Sequence, residues 1–536
     1  VSDDNVAIGY NAFFRATTQS DKNVAIGSSA MSGNFTTADV DSCVIIGYDA
    51  GSGALTSGAT GTVAIGHQAG KSITSGAANV VIGYQAATAL TTGQENVVVG
   101  HQAMDAADGT EEGNTALGHG AMGAMDEQGN AVNFNIAIGK NALLGGAAGG
   151  DVLQNVAIGY NCMDATAANA QTGTVGIGTS ALTLLTSGSG NTAVGFETLA
   201  AVAGNSEHTA VGYQALKVCD GNDSNTAVGF KAGLDLTSGD DNVFIGSEAA
   251  QNVVGGSDNV IIGKAAGGTT TAGLNMVLIG RSAGSGGLIT TAATGTVAIG
   301  HSALTALTSG AGNTAVGYQA GILLTSGGSN TILGYQALDQ SHVDTDSCIV
   351  IGQNAMGAAT GSGRSMKTVA IGNAAMGAGA LNGANSNVAI GHEVMTDATA
   401  AESNVAIGFE AGKAVTSGSN NILLGYQAGK ALTGSGLVIA IGKGALAAAT
   451  GSTVTSAIAI GTSALSASGT HVNEVAIGQN AMIAWTGAGS GTDTAGYNIA
   501  IGGGALDANT SGARNVAIGY DALGIANVTD NSQTQN

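Results

Sequence analysis

Apolar and polar positions along this chain repeat one phrase, Asn-Val-Ala-Ile-Gly-Tyr-Gln-Ala-Leu with variations, 29 times. Its central glycine falls at Gly9, Gly27, Gly47, Gly66, Gly83, Gly100 and onward to Gly502 and Gly519. Of the 28 intervals between these glycines, 15 are 17 residues long and the rest span 18 to 24. Self-similarity at such a period is the mark of a solenoid, in which each unit buries its apolar face only against its neighbours. The residue before the glycine is Ile, Val or Leu in every copy, and the residue two earlier is Val, Ile or Thr (Val6 and Ile8; Thr115 and Leu117; Ile136 and Ile138). This β-branched alternation predicts a short strand. The residue between them is Ala in 19 copies and otherwise almost always apolar. Both strand faces are therefore apolar, and a strand covered on both sides needs two partners. The expectation is that the β-branched face lines the chain's own core and the alanine face packs against a sister copy. The fold expected is all-β: a parallel β-solenoid of about 29 coils, built as one array over 1–526 with a polar tail at 527–536. At ~4.8 Å per coil it would be an elongated rod on the order of 140 Å long.

The remaining columns fit that plan. A glycine in every copy suits a corner that needs positive φ or a close backbone approach. Ala follows three residues later in 26 copies, and the next position alternates among Leu, Met and Gly. Eight of the 11 methionines sit there, Met31, Met104, Met122 and Met482 among them, and read as core filler. Asn stands four residues before the glycine in 18 copies (Asn5, Asn79, Asn191, Asn515), where identical amides can hydrogen-bond up a ladder. The rest of each coil carries turn chemistry such as Leu185-Thr186-Ser187-Gly188, and every change of coil length falls in that half.

Composition narrows the function classes. The 536 residues include 90 Gly and no Pro, with 44% hydrophobic and 9% charged residues. Collagen needs Pro beside its periodic Gly, and disorder needs low hydrophobicity with high charge, so both are excluded. Apolar runs are cut every few positions, too short for the ~20 residues of a membrane-spanning helix. A net charge of −22 with only 14 basic residues argues against nucleic acid. The chain opens inside the repeat with no signal segment, as expected of a processed product or a piece of something longer.

Candidate chemistry is mostly absorbed by the repeat. Five of eight His (His67, His101, His119, His301, His392) and nine of ten Tyr occupy the position after the anchor glycine. They read as a stacked ladder, or alternatively as a strip for sugar rings or metal ions. The run Gly66-His67-Gln68-Ala69-Gly70-Lys71-Ser72 falls one residue short of a phosphate loop. The four cysteines, Cys43, Cys162, Cys219 and Cys348, lie too many coils apart for disulfides and read as buried filler. Asp105, Asp108, Glu111 and Glu112 are the weak candidates for Ca²⁺; Asp220 with Asp223, Asp240 with Asp241 and Asp344 with Asp346 are similar acidic turns. The longest interval, Gly478 to Gly502, holds the sole tryptophan, Trp485, and the off-column Tyr497. Exposed on a loop they would suit glycan contact; packed on the roll they would be structural. Sequons at Asn34, Asn222, Asn509 and Asn527 lie in turns. No catalytic residue and no cofactor emerges, and an enzyme is not expected.

At Asn-Thr-Ala-Val-Gly-Tyr-Gln-Ala-Leu followed by Leu-Thr-Ser-Gly, the sequence resembles the head repeats of trimeric autotransporter adhesins of the YadA type. It is still more similar to the 17-residue arrays of bacteriophage tail fibres, over Asn5 to about Leu523. The resemblance implies a left-handed parallel β-roll, three chains side by side, and work at a cell surface or on a virion. The coils are longer than the adhesin head's usual unit, and neither a heptad stalk and membrane anchor nor a tail-fibre attachment or chaperone domain is evident. The function expected is a fibre shaft, extracellular or on a virion, that partners with itself and a host-surface glycan or receptor. The alternatives are a subunit of a self-assembling extracellular filament and an ice- or calcium-binding solenoid. Threonines scattered through a column expected to be buried count against an ice face.

Overall fold

The computed structural model describes residues 3–15, 19–33, 39–125, 130–145, 150–165, 170–220, 223–340, 345–357, 367–378, 384–449, 454–486, 496–510 and 512–524. The chain is a parallel β-solenoid, and among the described residues its only helical elements are two 3₁₀ turns, Ser57–Ala59 and Thr291–Ala293. It divides into two compact units, Val1–Ile262 and Gly263–Asn536.

In the first unit, 15 three-residue strands from Val6–Ile8 to Val260–Ile262 form one parallel sheet, each paired in register with the strand of the next coil. Thr192, Thr209 and Thr226, for example, align in one row. A second, smaller sheet joins Val132–Asn133, Val152–Leu153 and Gln171–Thr172. The second unit carries 14 such strands, from Val277–Ile279 to Val516–Ile518. Outside the strands the coils are held by backbone bonds from one turn to the next, as in Gly229 N to Val211 O and Lys231 N to Tyr213 O, both 2.8 Å.

The anchor glycine is required twice over. Gly212 has φ +141°, a conformation denied to L side chains, and a Cβ built there would lie 2.2 Å from the carbonyl oxygen of Gly229 in the next coil. After it, the second and fourth residues adopt left-handed backbone in coil after coil (Gln214 at +55°, Leu216 at +48°). This alternation turns the chain through the corner while leaving each amide aimed at a neighbouring carbonyl.

The strand faces are reversed from the expectation drawn from sequence. In every three-residue strand after the first, the middle residue is the buried one: Ala25, Ala157, Ala406 and Phe244 are fully buried, whereas the flanking residues are half-buried or exposed. Ile158 is half-buried and Ile407 is 38% exposed, so neither belongs to the core assigned to it. The physical reason is room. The coil is thin, and its interior holds the middle strand residue, the Ala three residues after the glycine, the Leu, Met or Gly beyond it and the residue seven after the glycine.

Volume compensation inside that interior explains the alternation of Leu, Met and Gly. Where the middle strand residue is large, a glycine sits against it. A Cβ on Gly233 would lie 2.7 Å from the Phe244 ring, one on Gly412 2.7 Å from Leu423, and one on Gly321 3.0 Å from Ile332. Where the middle residue is Ala, as at Ala116, Ala389 and Ala476, Met122, Met395 and Met482 fill the space and are themselves buried. Packing near crystal density leaves no slack for the sum to change.

Asparagine four residues before the glycine closes the interior on the other side. Asn404 donates its backbone N and Nδ2 to Asn387 Oδ1 at 3.0 and 3.1 Å, and Nδ2 also reaches Gly418 O at 2.8 Å. Its Oδ1 in turn accepts from Asn421 N and Nδ2, both at 2.9 Å. The same pattern runs through Asn79, Asn96, Asn114, Asn135 and Asn155, and pairs Asn515 with Asn498. Asn5 starts the ladder by accepting from Asn23 N, and Asn191 passes it to His208 N. Because these amides are buried, Asn404→Ala strands the Asn421 backbone N–H and should cost about 1–3 kcal/mol locally. Hydrogen exchange should report it as faster exchange at Val405 and Asn421, with distant coils unchanged.

Candidate functional site

The outward face of the strands is the dominant surface feature. Residues one and three before each anchor glycine project from it as two parallel columns, with Val, Ile or Leu in every position except Thr115, Thr192, Thr209, Thr226, Thr314 and Thr331. No charged side chain occurs in either column. At ~4.8 Å per strand and ~3.3 Å per residue, the 15 strands of the first unit make a face of about 700 Å². That exceeds the largest apolar patch of a typical soluble monomer, about 300–600 Å². The threonines stand on this outward column, so the ground on which an ice face was set aside is removed.

Beside it runs the aromatic column. Tyr48, His67, Tyr84, His101 and His119 form one stack with centroids 5.2, 5.0, 5.0 and 4.9 Å apart. Shorter stacks are Phe196–Tyr213–Phe230, His301–Tyr318–Tyr335 and His392–Phe409–Tyr426. Each inner ring has both faces covered by neighbours and shows its edge, whereas a pyranose would need a bare face to stack on. Lysines lie over rings of this column, Lys140 over Tyr160, Lys231 over Phe230 and Lys443 over Tyr426 at 5.9, 5.3 and 5.9 Å. One position further, Gln102, Gln85, Gln68 and Asp49 hydrogen-bond in a surface row that also takes Lys71 at 3.0 Å from Asp49. Lys71, in the run that superficially resembles a phosphate loop, is thus an ion-pair partner.

The remaining sequence candidates are dispersed. Asp105 is partly buried and Asp108 exposed; Glu111 is buried and accepts from Gly109 N at 3.1 Å; Glu112 donates its backbone N to Asn133. Among the described residues no group of three or more His, Cys, Asp and Glu side chains gathers that could hold a metal ion. The cysteines form no disulfide and are buried, and burial raises the thiol pKa to about 12 at Cys162 and Cys219 and about 11 at Cys348. Cys219 Sγ lies 3.9 Å from Nε2 of His208, a pairing invisible in the sequence. His208 stands at a ladder position, accepting from Asn225 N on Nδ1, so the imidazole substitutes for an amide. Of the sequons, Asn34, Asn222 and Asn527 lie outside the described residues, as does Asp344, while Asn509 is buried and bonded to Gly512. A shallow groove in the second unit, floored by Ala414, Ala431, Ala447 and Ala448, has Lys413 and Lys430 at its rim, both held by Glu410.

Trp485 is buried, not displayed on a loop. It takes the interior position seven residues after Gly478, held elsewhere by Leu90, Leu185 or Leu432, and donates Nε1 to Glu474 Oε1 at 3.2 Å. Tyr497 is about half exposed, in left-handed turn backbone at φ +50°. Glu474 replaces a ladder asparagine. Its Oε2 is buried without a hydrogen-bond partner, and burial raises its pKa from the usual 4.5 to about 8. No protein-family model matches this chain, and no curated protein is found to be related to it.

A raised carboxyl pKa has a defined pH consequence. Glu474 supports the fold fully below its unfolded pKa of about 4.5, and that support is lost as pH rises towards about 8. Limited proteolysis around 474–497 should therefore quicken between pH 5 and 8 in the wild type. Glu474→Gln keeps an acceptor for Trp485 without a titrating proton and should flatten the profile; the same pH dependence in both chains would locate the titrating group elsewhere.

Proposed function

We propose that this chain is the shaft of a fibre: a structural solenoid whose copies lie side by side with their outward β-branched faces together. The fibre projects from a virion or cell surface and mediates attachment to a host surface. The observation that carries this reading is the face itself. Two columns of Val, Ile and Leu, broken by six threonines and free of charge, repeat on every strand, and among the described residues nothing in the chain covers them. A second copy is the occupant that fits. It offers the same columns at the same spacing, and the face of one unit is close to the ~800 Å² per partner of a standard stable interface. Interaction between copies thus uses the Val, Ile and Leu columns and leaves the alanines inside each chain. The aromatic and amide rows flank the joint, and the turn half, where insertions emerge, is left for contact with receptor or glycan. The extracellular or virion setting rests on the resemblance of the repeat to fibre and adhesin arrays.

Mass in solution tests association directly. The expected species is three times 51.4 kDa; an open-ended series would favour the filament. Paired substitutions separate the two strand faces. Ile390→Asp with Ile407→Asp places charge on the outward column and should release monomers of unchanged far-UV circular dichroism. Ala406→Asp buries a charge inside the coil and should open it to protease. A wild type that is monomeric at all concentrations would overturn the shaft. It would also leave a flat β-branched ladder facing water, the one circumstance in which thermal hysteresis would support the ice-binding alternative.

A further inference from the structure

A uniform apolar ladder has a defect as an interface: sliding one copy past another by one coil, ~4.8 Å, restores nearly every contact. Register must come from positions that break the repeat. In the first unit Thr115 does so on a single strand, and one band does so on three in succession. Three consecutive strands, Thr192–Val194, Thr209–Val211 and Thr226–Val228, carry Thr and Val where the strands on either side, Val175–Ile177 and Val243–Ile245, carry Val and Ile. They are spaced by 17 residues and paired row on row. The band is therefore both more polar and one methylene thinner per strand than its surroundings. Among the described residues none of the three hydroxyls has a hydrogen-bond partner.

We infer that the threonine band Thr192, Thr209 and Thr226 sets the register in which copies of this chain associate. This rests on the side-by-side shaft reading above. With copies parallel and level, hydroxyl meets hydroxyl and the thinner strands face one another. A slip of one coil would set a hydroxyl against Val or Ile at each edge of the band, burying it without a partner. A polar residue at one core position of a coiled coil fixes alignment by the same physics. Thr314 and Thr331, on consecutive strands of the second unit, are a two-rung counterpart.

The experiment uses the full chain with Val218→Cys, an exposed site off the strand face, carrying a spin label; the native thiols are buried. Pulsed dipolar spectroscopy reads the distance between labels on neighbouring copies, alongside the mass of the same sample. The unsubstituted band should give one narrow distance. The triple variant Thr192→Val, Thr209→Val, Thr226→Val should keep the oligomer's mass and show added distance populations from slipped alignments. An oligomeric triple variant with the single narrow distance intact would overturn the register assignment and leave the shaft standing. A monomeric parent chain would overturn both.

Discussion

The buried amide rung, present in 18 of the 29 copies, fixes which way the strands of the ladder face. An asparagine four residues before the glycine is bonded only if its side chain points into the coil, and strand alternation then carries the residue two later inward with it. The small middle residue, the tuned Leu, Met and Gly column and the outward projection of the β-branched pair all follow from that single parity. So does the tolerance for substitutes that still fit the ladder: His208 does so through Nδ1, and Cys43 through its backbone N bonded to Asn23. Glu474 marks the limit, since a carboxyl there is wrapped by Trp485 and driven towards its neutral form.

Much of this architecture was legible in the residue pattern. Strand positions, the glycine corner, the asparagine ladder and the stacked rings all appear as columns, because a repeat aligns itself without outside comparison. The face assignment was not legible from β-branching, which marks a pleated strand but not its inward side. The cue that would have settled it was present: Asn and Ala share a parity, and a stacked amide ladder belongs inside. Trp485 was left between two readings for a related reason. Sitting in the longest interval suggested a loop, whereas counting seven residues from Gly478 places it in the column of Leu90 and Leu185. The Cys219–His208 contact had no sequence signal, because it joins an interior filler to a ladder substitute.

Chemistry throughout the molecule is subordinated to stacking. Thiols are kept protonated by burial, the interior glutamate is bonded to an indole, and surface lysines are held by Glu197, Glu393 and Glu410. Apolar surface is the exception, repeated without a charge on strand after strand.

Because neighbouring coils meet through the same carbonyl-to-amide contacts at each glycine corner, one coil is nearly interchangeable with the next. Recombination that removes or duplicates a whole coil would rejoin the backbone without creating a new junction. Ladder length can then change by unequal exchange wherever the coils brought together keep the volume pairing of the interior, as Gly233 keeps it with Phe244.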